Sequence, residues 1–136
     1  MQVRDCKLFL SATAVVEAAT GLCLLILPAV LFAILLGLDN AAAAAIFVGR
    51  LAGAALLAIG VASWMARIDE RTPAQLGLLT GILVYNVAAT LLLAYAGAVL
   101  KMVGVLLWPA VAIHAFVAVW CFRCLQPERN GNKIVH

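Results

Sequence analysis

Five polar side chains in the apolar stretches of this sequence have the chemistry of a binding or proton-exchange site. Glu17 supplies a carboxylate, Arg50 a permanent cation, and His114 an imidazole that ionises near neutral pH. Asn86 and Tyr85 can both donate and accept hydrogen bonds. An acid, a base and a cation within so apolar a chain predict a buried polar cluster, which either pairs internally or binds a small ligand.

A second pattern is the sequence "CFRC", which places Cys121 and Cys124 at the spacing of a redox-active dithiol. In such a pair one thiolate attacks and its neighbour resolves the mixed disulfide. The alternative is that both are apolar packing residues, because the end of the chain is predicted to be cytoplasmic and thiols stay reduced there. Both interpretations stay open at this point.

Other chemistry is not indicated by the sequence. His114 has no second ligand at metal-binding spacing, so no metal site is predicted. There is no glycine-rich phosphate loop, nucleophile elbow or Ser-His-acid set. We therefore expect a non-enzymatic protein without a cofactor.

The composition decides which elements hold these residues. The chain is 67% hydrophobic and 11% charged, whereas soluble domains are roughly half apolar and a quarter charged. About 20 apolar residues cross a bilayer as a helix, so 136 residues have room for four crossings. The predicted fold is all-α: a single transmembrane domain over 1–136, an integral membrane four-helix bundle with helices at about 8–27, 42–66, 75–97 and 102–125 and a tail at 126–136.

Local signals set the predicted helix ends. Pro28 ends or kinks the first helix, and the following "AVLFAILLG" is too short to cross, so it is an extension of that helix or an interfacial piece. Asp39 and Asn40 are candidate caps for the second helix. In "TPAQ", Thr72 and Gln75 form a capping box for the third helix.

The basic residues predict the orientation in the membrane, because cytoplasmic flanks collect lysine and arginine. The loop after the second helix and both ends of the chain hold Arg4, Lys7, Arg67, Arg71, Arg123, Arg129 and Lys133. The other two loops hold only Lys101. Both termini should be cytoplasmic in a cell inner membrane, and the net charge of +3 indicates attraction to anionic lipid rather than to nucleic acid.

Counting along the helices places the polar residues in the membrane. Glu17, Asn86 and His114 lie near the centres of their spans, and Arg50 lies about one turn outward of that depth. We expect all four to face one another, either as a structural Glu17–Arg50 ion pair with Asn86 and His114 beside it or as a ligand or proton site.

Glycines spaced four apart predict close helix packing in lipid. Two such pairs occur, Gly49 with Gly53 and Gly77 with Gly81. They favour a compact bundle in which backbones approach one another.

The segment "GRLAGAALLAIGVASWMAR" resembles the small four-helix bacterial membrane proteins grouped as DoxX-like. The similarity rests on Arg50, Gly53, Gly60 and the terminal Trp64 to Arg67, and the preceding "GLCLLILPAVLFAILLG" is similar to the first helix and loop of that group. This resemblance implies a four-helix bundle that acts in redox-linked complexes or as an assembly partner.

The stretch "VVEAATGLCL" is also similar to the first helix of the small multidrug resistance transporters, with Glu17 at the position of their membrane-embedded glutamate. The expected function is therefore a non-enzymatic accessory subunit or small-ligand binder, with the alternative of a proton-coupled transporter that uses Glu17. The expected partners are the lipid bilayer and either a membrane-protein partner or a second copy of the chain.

Overall fold

The computed structural model describes residues 2–69 and 71–126. Over these residues the protein is all-helical, with α1 at Gln2–Ile26, α2 at Pro28–Leu36, α3 at Ala43–Ala66, α4 at Pro73–Ala98 and α5 at Leu107–Leu125. Four of them, α1, α3, α4 and α5, are long and apolar enough to cross a membrane. The all-helical, membrane-type character predicted from composition is confirmed, and the predicted tail lies outside the described residues except for Gln126.

The nine-residue segment that begins at Pro28 is a helix of its own. Leu27 leaves helical geometry (φ −127°, ψ 48°), and Pro28 occupies the first position of α2, where its missing N–H costs nothing. Gly37 ends α2 in the left-handed conformation (φ 72°) and its N–H donates to the Ala33 carbonyl. A proline at the start and a left-handed glycine at the end thus delimit α2.

The predicted cap at the start of α4 forms, except that Gln75 reaches back to the N–H of Arg71 rather than to that of Thr72. The Thr72 hydroxyl accepts from the Gln75 N–H at 3.2 Å, and the Gln75 side-chain oxygen accepts from the Arg71 N–H at 3.0 Å. The Gln75 amide nitrogen also donates to the carbonyls of Ala66 and Asp69, at 3.0 and 2.8 Å. Gln75 therefore fastens the α3–α4 loop to the first turn of α4.

Two other predicted helix starts differ from the structure. Residue Ala42 precedes α3 without any side-chain cap, so Asp39 and Asn40 do not cap this helix. Helix α5 begins at Leu107 rather than near Met102, because the chain turns at Lys101 with φ 57° and does not resume regular helical geometry until Leu107.

Helices α1 and α3 pack closely in antiparallel fashion through small residues. The Cβ of an alanine at position 53 would lie 2.7 Å from the Gly21 carbonyl oxygen, and one at Gly60 would lie within 3.0 Å of main-chain atoms of Ala14 and Ala18. Such an approach is open only to glycine. By contrast, a Cβ added at Gly77 or Gly81 of α4 would meet nothing within 4 Å. Within the described residues, only the first predicted glycine pair therefore packs against another helix.

Helices α4 and α5 form the second antiparallel pair, and α1 joins the two pairs. Its Phe9 ring meets Trp120 of α5 edge to face at 5.4 Å between centroids. A core of side chains from α1, α4 and α5 surrounds this contact, consisting of Cys6, Phe9, Leu10, Leu79, Ile82, Cys121 and Cys124. We call the contact of α1 with α4 and α5 the seam.

The start of α1, the α3–α4 loop and the end of α5 lie at the same end of the protein. The Cys6 thiol contacts the Cys124 carbonyl, and the Arg71 guanidinium donates to the carbonyls of Leu125 and Gln126 at 3.3 and 3.2 Å. The described basic residues other than Arg50 and Lys101 belong to these three segments. We call this the basic end.

Candidate functional site

Glu17 is buried on the inner face of α1 without a partner. Its side chain is 6% exposed, and Thr13 and Gly21, four residues before and after it, are buried on the same face. Among the described residues it makes neither a hydrogen bond nor an ion pair. The Glu17 oxygens keep a little accessible area, since the fully enclosed and unpaired side-chain polar atom of the described residues is Ser63 Oγ. A carboxylate this deeply buried with unfilled acceptor positions is nevertheless costly to the fold.

The predicted ion pair between Glu17 and Arg50 does not form. Arg50 is exposed on α3. Gly60 contacts Ala14 and Ala18, so Glu17 lies level with Gly60, whereas Arg50 lies almost three helical turns earlier, about 15 Å along the axis. From there its long side chain can extend toward the membrane surface.

Asn86 and His114 do meet, as predicted. Asn86 is 1% exposed, and its side-chain nitrogen donates to the Ile82 carbonyl at 2.9 Å. This bond fixes the amide orientation, so the Asn86 oxygen accepts from Nδ1–H of His114 at 2.8 Å. In the neutral imidazole Nε2 is then an acceptor, and it has no hydrogen-bond partner within residues 2–69 and 71–126.

Tyr85 connects this pair to the carboxylate. Its ring lies edge-on to the His114 ring, with centroids 5.8 Å apart and planes at 82°. It is also close enough to Glu17 for the two side chains to interact electrostatically. The structure therefore brings together Tyr85, Asn86 and His114, places Glu17 of α1 within electrostatic range of Tyr85, and leaves Arg50 out. We call these four residues the polar cluster.

The polar cluster has more free acceptors than donors. Glu17 offers two carboxylate oxygens and His114 one ring nitrogen, and the Tyr85 hydroxyl makes no hydrogen bond in the described part of the chain. A small ligand that carries N–H or O–H donors, and a positive charge to match the carboxylate, would complete these bonds.

The cysteines are arranged differently from the predicted C-x-x-C pair. The Cys121 thiol donates to the Leu79 carbonyl of α4 at 3.1 Å. The Cys6 thiol donates to the Cys124 carbonyl at 3.7 Å, and all three cysteines are buried. Cys6 was not predicted as part of a thiol pair. Its spacing from Leu10, Thr13 and Glu17 nevertheless places it on the inner face of α1.

Comparison of the chain with protein-family models, with curated proteins and with solved structures finds no match.

Proposed function

We propose that this integral membrane protein binds a small cationic ligand at the polar cluster, with the Glu17 carboxylate as the anchor. One observation carries the proposal: Glu17 is 6% exposed and makes no ion pair or hydrogen bond among the described residues. An ionisable group costs several kcal/mol in the interior of a membrane protein, so such groups generally mark ligand or ion sites.

The position of the cluster supports this proposal. Its residues come from both helix pairs, Glu17 from α1 and the other three from α4 and α5. A ligand held there contacts both sides of the seam. If the α1–α3 and α4–α5 pairs separated alternately at the two membrane surfaces, the same site would serve a transporter. In such a transporter a proton and a cation compete for Glu17.

The ligand class follows from the surroundings of the carboxylate. The described surroundings are membrane-spanning helices, so the body of the ligand must be largely apolar while its charge meets Glu17. A lipophilic organic cation has both properties. Tetraphenylphosphonium is a suitable probe, and tetraphenylborate is an anion of nearly the same shape.

The test is a titration of the purified protein in detergent with tetraphenylphosphonium, followed by tryptophan fluorescence. We expect saturable binding to the wild type and at least about tenfold weaker binding to Glu17→Gln, equivalent to about 1.4 kcal/mol. The control variant is Asp39→Asn, which removes an exposed carboxylate from the α2–α3 loop and should bind like the wild type.

Tetraphenylborate controls for adsorption to the apolar surface, and its signal should be the same for wild type and Glu17→Gln. Equal affinity of the two proteins for tetraphenylphosphonium, or no saturable binding, would overturn the proposal. An accessory subunit that co-purifies with a membrane-protein partner and tolerates Glu17→Gln would then be the better assignment.

The cellular setting is part of the proposal. We place the protein in a cell inner membrane with the basic end, and hence both termini, in the cytoplasm, because basic flanks are retained on that side. The DoxX-like resemblance and a second copy or other membrane-protein partner are likewise proposals, and ligand binding at Glu17 does not depend on them.

A further inference from the structure

The basic end of the seam contains a pair of thiols that the proposed ligand site does not use. Cys6 of α1 and Cys124 of α5 are far apart in sequence, yet the Cys6 sulfur lies 3.7 Å from the Cys124 carbonyl oxygen. The exposed fractions of Cys6 and Cys124 are 9% and 3%.

A pocket gives access to this pair from the membrane surface. Its volume is about 270 Å³, and its walls are Asp5, Cys6, Trp120, Arg123 and Cys124. Two of these walls are the charged side chains of Asp5 and Arg123, so a small water-soluble reagent can enter it. Within the described residues, no set of three or more histidine, cysteine or acidic side chains is arranged to hold a metal ion, which favours thiol chemistry over metal coordination.

The Cys121 side chain lies against α4 and not in this pocket. Its thiol donates to the Leu79 carbonyl at 3.1 Å, on the side of α5 that faces α4, and it is absent from the walls of the pocket. Cys6 and Cys124 both line the pocket, and the Cys6 thiol contacts the Cys124 carbonyl. The reactive partner of Cys124 is therefore on another helix and not within the C-x-x-C sequence.

We propose that Cys6 and Cys124 form a redox-active dithiol, which a small disulfide converts into an α1–α5 disulfide. Cys6, the more exposed thiol, loses its proton and attacks one sulfur of the reagent; the reagent's S–S bond breaks and half of it leaves as a thiol. Cys124 then loses its proton, attacks the Cys6 sulfur and releases the second half as a thiol. The reagent gains two electrons and two protons, and the new bond joins the two helix pairs across the seam.

The experiment treats the purified full-length protein with cystamine, a small aliphatic disulfide, then blocks free thiols by alkylation and maps the linked peptides by mass spectrometry. Cys23 is exposed and can react independently, so every variant carries Cys23→Ser. We expect a Cys6–Cys124 link, a mass lowered by two hydrogen atoms and no retained half of the reagent. Cys124→Ser should instead accumulate the mixed disulfide on Cys6.

The matched control is Cys121→Ser, which removes the other cysteine of the C-x-x-C and should still form the Cys6–Cys124 link. A Cys121–Cys124 link, a stable mixed disulfide on Cys6 in the protein that retains Cys124, or no reaction at either residue would overturn the proposal. Cys6 lies about 16 Å from Glu17 along α1. The link is measured without any ligand, so its absence would leave the proposed cation site untouched.

Discussion

At the scale of single residues, the central feature is the contrast between two buried polar groups. Asn86 has its side-chain nitrogen and oxygen in hydrogen bonds to Ile82 and His114, as buried polar groups generally do. Glu17 is almost equally buried and has no such partner in the described part of the chain. The first residue maintains the fold, and the second is the residue at which we propose that a ligand binds.

The Asn86–His114 bond gives a prediction of its own. Asn86→Leu has a similar volume but leaves Nδ1–H of His114 without an acceptor, so we expect the free energy of unfolding to fall by about 1–3 kcal/mol. The measurement is a denaturant titration in detergent. Thr90→Val is the control, because Thr90 only donates to the Asn86 main-chain carbonyl within its own helix, and it should change stability little.

The double variant Asn86→Leu with His114→Leu sharpens this test. Replacing both partners removes the unpaired donor, so the double variant should lose less stability than the sum of the two single variants. Strictly additive losses would show that the 2.8 Å contact is energetically unimportant.

The sequence identified the members of the polar cluster but not all of their partners. Unusual polar side chains in apolar segments are visible in composition alone, which is why Glu17, Asn86, His114 and Tyr85 could be singled out. The axial alignment of α1 with α3 is set by the Gly21–Gly53 and Gly60–Ala18 contacts. Helix counting does not supply that alignment, so the placement of Arg50 beside Glu17 was wrong.

At the scale of helices, local signals were predictable where they act over one turn. The hydrogen bond from the Gln75 N–H to Thr72 depends on residues three apart and forms. Asp39 and Asn40 precede α3 too early, since a cap must be the residue directly before the first helical one, and that residue is Ala42. The spacing did not predict which of the two glycine pairs packs against another helix, because both pairs have the same sequence pattern.

The two glycine pairs, Gly49 with Gly53 and Gly77 with Gly81, allow a matched prediction. Gly53→Ala would place a Cβ 2.7 Å from the Gly21 carbonyl oxygen and 2.8 Å from the Cβ of Leu24, so α1 and α3 must separate. We expect a loss of about 1–3 kcal/mol in thermal or denaturant unfolding. Gly81→Ala has open space within 4 Å and should be neutral or gain up to about 1 kcal/mol from helix propensity.

Equal effects of the two alanine substitutions on unfolding would contradict this packing. If Gly81→Ala instead lowered stability while Gly53→Ala did not, α4 rather than the α1–α3 pair would carry the close helix contact.

At the scale of the whole molecule, composition predicted the membrane character and the number of long helices, because apolar segments of sufficient length have few alternatives to crossing a bilayer. The pairing of α1 with α3 and of α4 with α5 was not predictable in the same way. Lipid is as apolar as leucine, so association depends on where small residues allow backbones to approach, and Gly21, Gly53 and Gly60 make that contact.

The orientation of the molecule can be tested by chemical labelling. In a cysteine-free background we would place single cysteines at two exposed loop positions, Asp39 and Asp69, which precede α3 and follow it. A membrane-impermeant maleimide applied to intact cells should label Asp39→Cys and not Asp69→Cys if, as we propose, the basic end lies in the cytoplasm. Labelling of Asp69→Cys alone would reverse the proposed orientation.

The most direct test of the account is thermal unfolding in detergent of the wild type, Glu17→Gln, Arg50→Met and the double variant. If Glu17 is an unpaired ligand anchor, Glu17→Gln unfolds at the same or a higher temperature than the wild type, because a neutral amide costs less to bury than a carboxylate. The effects of the two single variants then add to within about 0.5 kcal/mol. Destabilisation of Glu17→Gln by about 3 kcal/mol or more, recovered in the double variant, would show an ion pair with Arg50 and contradict the account.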